Sequence, residues 1–226
     1  MSYLNTLAFG IYPYIALSIF LLGSLVRFDY AQYTWRSGSS QLLRTRNFRI
    51  ANNLFHIGIL LLFLGHFAGL LMPHAWYPYL GLTAHSKQLL AMIAGGIFGS
   101  LCFIGLSMLL YRRLGDPRIR NTSSRMDIAM LLILYMQLIL GLGTIALSGQ
   151  HMDGSNMLLL ADWAQHIVTF RAGAADYLTD ISWVFKIHLL LGMTIFLLFP
   201  FSRLVHIWSA PLWYLGRRSY QIVRQR

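Results

Sequence analysis

The sequence predicts an all-α integral membrane protein of five transmembrane helices. Its amino terminus lies outside and its carboxyl terminus inside, and a short interfacial helix sits on the outer face between the fourth and fifth spans. Three observations predict this. Of the 226 residues 57% are hydrophobic and 11% charged, with a mean hydropathy of +0.57, whereas a soluble domain carries about 25% charged residues. Five apolar runs have about the 20 residues that a helix needs to cross a hydrocarbon layer ~30 Å thick. Fifteen of the eighteen Lys and Arg residues fall at one end of those runs, the asymmetry that marks the cytoplasmic side.

The first span is placed at about 4–26. It is too long for the apolar core of a signal peptide and has no basic stretch before it, so it reads as a retained helix, with Pro13 as a kink point. A polar stretch with Arg27, Arg36, Arg44, Arg46 and Arg49 follows. Span two, about 53–72, is closed by Met72-Pro73, and the loop after it holds no Lys or Arg before Lys87. Span three, about 87–110, runs into a second basic loop with Arg112, Arg113, Arg118, Arg120 and Arg125. Span four covers about 127–147. The longest connection, 148–182, carries four Asp against the single Arg171, and its stretch MLLLADWAQHIVTF has helical apolar spacing; this is the expected outer helix. Span five, about 183–208, contains Pro200, and Arg203, Arg217, Arg218, Arg224 and Arg226 complete the basic end. Residues 1–226 read as one transmembrane domain. Trp76, Trp163 and Trp183 outside, and Trp35, Trp208 and Trp213 inside, read as aromatic belts.

Charge at this level raises the question of nucleic acid. The basic residues form short blocks between apolar spans without a recognition motif, so nucleic acid is excluded as a partner and the charge is topological. The single cysteine, Cys102, leaves no internal disulfide, iron-sulfur cluster or Cys-rich zinc site within the chain. There is no C-x-x-C-H, so a haem here is held without a covalent link.

Spans two and five each carry two histidines, His56 and His66 on one, His188 and His206 on the other. An imidazole inside a bilayer is costly unless something binds it. The two spans run in opposite directions, so His56 shares the inner level with His206, and His66 the outer level with His188. On a continuous span five, His188 and His206 are five turns apart and share a face, about 27 Å apart along the axis against about 15 Å for His56 and His66. A kink at Pro200, a tilt and the width of a macrocycle are the means of closing that difference. Bis-histidine haem suits the pattern: a porphyrin fills its own equatorial positions and takes one imidazole from each of two helices, whereas zinc takes three or four protein ligands. The alternative use of such histidines is packing or proton relay in a haem-free anchor or small transporter.

Haem propionates need cations at the membrane edge, and Arg112, Arg113 and Arg203 are the candidates. Gly65-x3-Gly69 and Gly95-x3-Gly99 mark either close helix packing or room for a flat cofactor. Lys87 reads either as a snorkelling lysine or as a hydrogen-bond donor to a quinone carbonyl. His74, His85, His151 and His166 receive no ligand role.

Several segments resemble the membrane-anchoring cytochrome b (gamma) subunit of respiratory nitrate reductases: IYPYIA (11–16), DYAQYTWR (29–36), NLFHIGIL (53–60), GHF (65–67), QHMDGS (150–155) and HLLLGMTIFLLFPFSRLVHIWSAP (188–211). The resemblance runs along essentially the whole chain; 41–50 and 72–86 match less well. It implies a multi-pass subunit of the bacterial cytoplasmic (inner) membrane with two haems b. It implies quinol oxidation at the outer face, and electrons passed to an iron-sulfur beta subunit and then to a molybdenum alpha subunit that reduces nitrate. It assigns His66 and His188 to the outer haem, His56 and His206 to the inner one, and Gly65, His66 and Lys87 to the quinol pocket. The nitrate site belongs to another subunit, so no catalytic residue of that reaction is expected here. The inner basic loops and the tail are the expected docking surface for the other subunits. A cytochrome b anchor of a hydrogenase or formate dehydrogenase is the runner-up.

Overall fold

A computed structural model describes residues 3–35, 40, 43 and 47–209. Arg36, Arg44, Arg46, Trp213 and the basic tail from Arg217 to Arg226 lie outside the described residues. Eight α-helices follow in order: α1 Tyr3–Thr6, α2 Tyr12–Ala31, α3 Phe48–Leu71, α4 Ala84–Gly115, α5 Pro117–Asn121, α6 Arg125–Ser148, α7 Ser155–Val168 and α8 Trp183–Leu198. No strand occurs among the described residues. Among the described residues, five stretches are long and apolar enough to cross a membrane: Tyr3–Thr34, Phe48–Leu71, Ala84–Gly115, Arg125–Ser148 and Trp183–Phe201.

The spans pack in the order α3, α4, α6, α8, α2. The tightest seam, α3 on α4, is made by small residues. A Cβ on Gly58 would come within 2.6 Å of the Cys102 nitrogen, and one on Gly105 within 2.8 Å of the Ala51 carbonyl oxygen. Without a hydrophobic driving force between helices in lipid, such close approach is what holds them together. Gly99 serves the α4–α6 seam in the same way, with Leu142 as its neighbour. Gly65 and Gly69 do not: among the described residues, no atom of another element lies within 4 Å of a Cβ on either. The packing reading therefore holds for Gly99 and not for Gly65 or Gly69.

Proline decides both irregular spans. Pro13 has no N–H to give the Phe9 carbonyl; a π-turn, Leu7–Ile11, precedes it, and the Trp163 indole N–H on α7 donates to Phe9 O at 2.9 Å. Trp163 is thus 3% exposed and belongs to the core, a correction to its reading as a belt residue. Trp76, Trp183 and Trp208 stay exposed. The expected helix between spans four and five is α7, and one face of it is core: Trp163, Ala164 and Ile167 pack with Phe9, Leu178 and Phe185.

Span five is not the continuous helix expected over 183–208. The α-helix ends at Leu198, followed by 3-10 turns at Phe199–Phe201 and Arg203–Ser209, with Ser202 extended between them. Pro200 cannot donate to Phe196 O, and the Phe199 N–H takes that carbonyl instead. His188 and His206 therefore do not stand on one face of a continuous helix; His206 sits on a separate turn beyond the break.

Helix starts follow from capping. Thr83 and Ser86 form a reciprocal capping box on α4, and Ser124 and Asp127 form one on α6, each satisfying orphan N–H groups. Asp127 also pairs with Arg203, tying the start of α6 to the turn that carries His206.

Candidate functional site

His66 of α3 and His188 of α8 face each other with ring centroids 6.1 Å apart. Their helices are not among the closely packed pairs, so the rings meet across the bundle rather than along a seam. Two imidazoles binding one metal from opposite sides, each through a nitrogen about 2 Å from it, put their centroids roughly 6 Å apart. Among the described residues no three of His, Cys, Asp and Glu converge. A pair of imidazoles suits a macrocycle that brings its own equatorial donors.

The ring nitrogens carry a second signature. Nδ1 of His56 is 2.8 Å from Asn52 O, Nδ1 of His66 is 2.8 Å from Leu62 O, and Nδ1 of His206 is 2.6 Å from Arg203 O. A carbonyl only accepts, so Nδ1 is the donor in each case, and in the neutral ring Nε2 keeps its lone pair for a metal. His188 differs. Its Nδ1 is buried without a hydrogen-bond partner, and its Nε2 is 3.5 Å from Gln137 Nε2. A Cβ on Gly141 would lie 3.0 Å from His188 Cε1, so the absent side chain of Gly141 is what lets the imidazole lie against α6.

The other pair is not in contact. His56 stands edge-on to Phe55 with centroids 5.1 Å apart, and His206 is held on its 3-10 turn, with no ring contact between the two. Both lie at the arginine-rich end.

Toward the opposite end, Lys87 is 6% exposed. Its ammonium lies over the Tyr77 ring, 4.2 Å from the centroid, and donates to the Tyr77 hydroxyl. A snorkelling lysine would reach for water; this one turns inward. Beyond it, His74 stands against Tyr77 with centroids 5.2 Å apart, and His74 Nε2 is 3.6 Å from Asp162.

The family model described as nitrate reductase gamma subunit matches residues 5–226. The chain belongs to the nitrate reductase gamma subunit family. It is 54% identical over 226 residues to the respiratory nitrate reductase 1 gamma chain of Escherichia coli K12, covering all of both chains. It is equally identical to the respiratory nitrate reductase 2 gamma chain of that strain, covering all of this chain and 99% of the relative. The nitrate reductase gamma chain of Bacillus subtilis 168 is 39% identical over 217 residues, 96% of each chain. Membership of the gamma-subunit family sets aside the hydrogenase and formate dehydrogenase anchors.

At the arginine-rich end of this gamma-subunit chain, the three candidate propionate partners are engaged with protein. Arg112 donates to Ser40 Oγ at 2.7 Å and stacks on Phe48, Arg113 donates to Ser123 Oγ at 2.6 Å, and Arg203 Nε donates to Asp127 at 2.7 Å. Arg113 feels the charges of Arg112, Arg203 and Asp127, so the four form one cluster with a cationic surplus. Sequence reasoning missed Tyr77, Gln137 and Gly141. Gln137, a lone amide inside an apolar span, was the one signal available in the residues themselves.

Proposed function

We propose that this chain is the quinol-oxidising, di-haem b membrane subunit of a respiratory nitrate reductase, multi-pass in a bacterial cytoplasmic membrane with its carboxyl terminus inside. The observation that carries the reading is the facing of His66 and His188 at a centroid separation of 6.1 Å, in a chain of the gamma-subunit family. His66 and His188 would hold the outer haem, and His56 and His206 the inner one. The carbonyl-anchored Nδ1 groups of His56, His66 and His206 fit that role, because they fix the tautomer and aim Nε2. Bound there, two haems b supply the one-electron relay that takes electrons from quinol to an iron-sulfur beta subunit and on to the molybdenum alpha subunit that reduces nitrate.

The residues of the chain do the rest. Lys87 offers an N–H to a quinone oxygen, Gly65 leaves the approach to His66 open, and Arg112, Arg113 and Arg203 supply cationic partners for propionates at the inner edge. Fifteen basic residues at one end support placing that end inside, and on that orientation quinol gives up its protons outside. The test is a reduced-minus-oxidised visible spectrum with haem counted per chain. Two b haems are expected, and absence of b-type bands refutes the reading. In the assembled complex His66→Ala is expected to abolish quinol-dependent nitrate reduction while sparing reduction by a soluble artificial donor.

A further inference from the structure

Tyr77 has no part in the family assignments given above, yet it is 6% exposed and is the partner of the equally buried Lys87. The Tyr77 oxygen accepts a hydrogen from Lys87, so its own hydrogen points elsewhere. Among the described residues no acceptor takes that hydrogen, and a buried hydroxyl without one is costly. The groups around it are His74 at 5.2 Å between ring centroids and, beyond His74, Asp162 on α7; His166, one turn further along α7, turns instead to Tyr177 at 3.3 Å.

We propose that Tyr77 is a second hydrogen-bond donor of the quinol site and works as one unit with Lys87. The lysine N–H polarises the phenol, and the phenol hydrogen meets an oxygen of the bound quinone or quinol. This deepens the Lys87 reading given above and rests on it. The geometry assigns two functions to one side chain: the ring and oxygen hold the lysine nitrogen in place, and the hydroxyl touches substrate. The ligand class is an aromatic two-electron carrier with a carbonyl or hydroxyl oxygen. Burial, with the charge of Asp162 second, holds the Tyr77 phenol above its ordinary range, which keeps its hydrogen in place for donation.

The test uses the assembled three-subunit complex in membrane vesicles, with menadiol as donor and nitrate as acceptor. Tyr77→Phe keeps the ring beneath the lysine and removes only the hydroxyl. It is expected to raise the KM for menadiol about tenfold, leaving the b-type spectrum and viologen-driven nitrate reduction unchanged. Lys87→Ala raises KM as well, and the double variant is expected to be no worse than Lys87→Ala alone, because a unit loses its function once. A KM within twofold of wild type for Tyr77→Phe, or effects that multiply in the double variant, overturns the proposal. If Lys87→Ala itself leaves KM unchanged, the quinol-site reading falls and this proposal with it. Should the Phe variant lose its haem bands, replacing Tyr77 by 3-fluorotyrosine keeps the hydroxyl and strengthens it as a donor. A lowered KM then supports the proposal, and an unchanged or raised one overturns it.

Discussion

Arg27 of α2 donates a single Nη1 to two carbonyl oxygens beyond α8, that of Pro200 at 2.6 Å and that of Ser202 at 2.7 Å. Its Nε reaches Thr34 Oγ1 at 3.1 Å, so the guanidinium is fixed from both sides. Gly23, one helical turn earlier, brings α2 so close that a Cβ would lie 3.0 Å from the Pro200 ring. The arginine thus satisfies backbone groups at the proline break, and the break is what sets the position of His206.

Arg27→Ala leaves those carbonyls without their donor, at a cost of about 1–3 kcal/mol. A lower thermal midpoint is expected, and, if His206 holds a haem as proposed, altered b-type bands with it. Arg27→Lys is expected to recover only part of the loss, since an ammonium lacks the planar fork. An unchanged midpoint in the alanine variant refutes the staple.

Glycines separate into two kinds with opposite expected behaviour. Gly105→Ala drives a methyl to 2.8 Å from Ala51 O and 2.9 Å from Phe55 Cα, backbone atoms that cannot swing away. The α3–α4 seam must open, costing about 1–3 kcal/mol. Gly96→Ala meets nothing within 4 Å and is expected to be silent. Thermal midpoints of the two purified variants decide; equal midpoints contradict the seam.

Gly141→Val places bulk where His188 Cε1 would lie 3.0 Å from the new Cβ. The imidazole is displaced from its place opposite His66, so under the proposed two-haem reading the haem held by that pair is expected to be lost and the other kept. Haem per chain, counted by pyridine haemochrome, would fall by half. Full haem content in this variant contradicts the role of Gly141.

Tyr77 makes an alkaline prediction. Burial first, and Asp162 second, raise the phenol above its ordinary value of 10.0. A group whose folded pKa is raised contributes stability that is complete below the unfolded value and is lost as pH rises through the folded one. Wild type is therefore expected to lose stability above pH ~10 more steeply than Tyr77→Phe. Identical pH slopes in alkaline unfolding of the two proteins refute the shift.

The five spans were legible because a bilayer imposes length and apolarity on every one of them. Their ends were less so. Span three was expected to stop near Leu110, whereas α4 continues to Gly115 past Arg112 and Arg113, because long basic side chains reach the edge while their backbone stays helical. The four histidines stood out, since an imidazole in an apolar run is anomalous by itself. Tyr77 did not, because tyrosines are ordinary in membrane-edge loops and its partnership with Lys87 is made by the fold across the 78–86 turn. Pro200 was visible as a kink. That it would end the helix, and that Arg27 would hold the ends, depends on a helix lying far away in the chain.

Cys102 is 0% exposed, pressed against Gly58 in the α3–α4 seam, and is the only thiol in the sequence. A maleimide reagent finds nothing to label in the intact subunit. A cysteine introduced into any loop would therefore report, free of background, on which side of the membrane that loop lies.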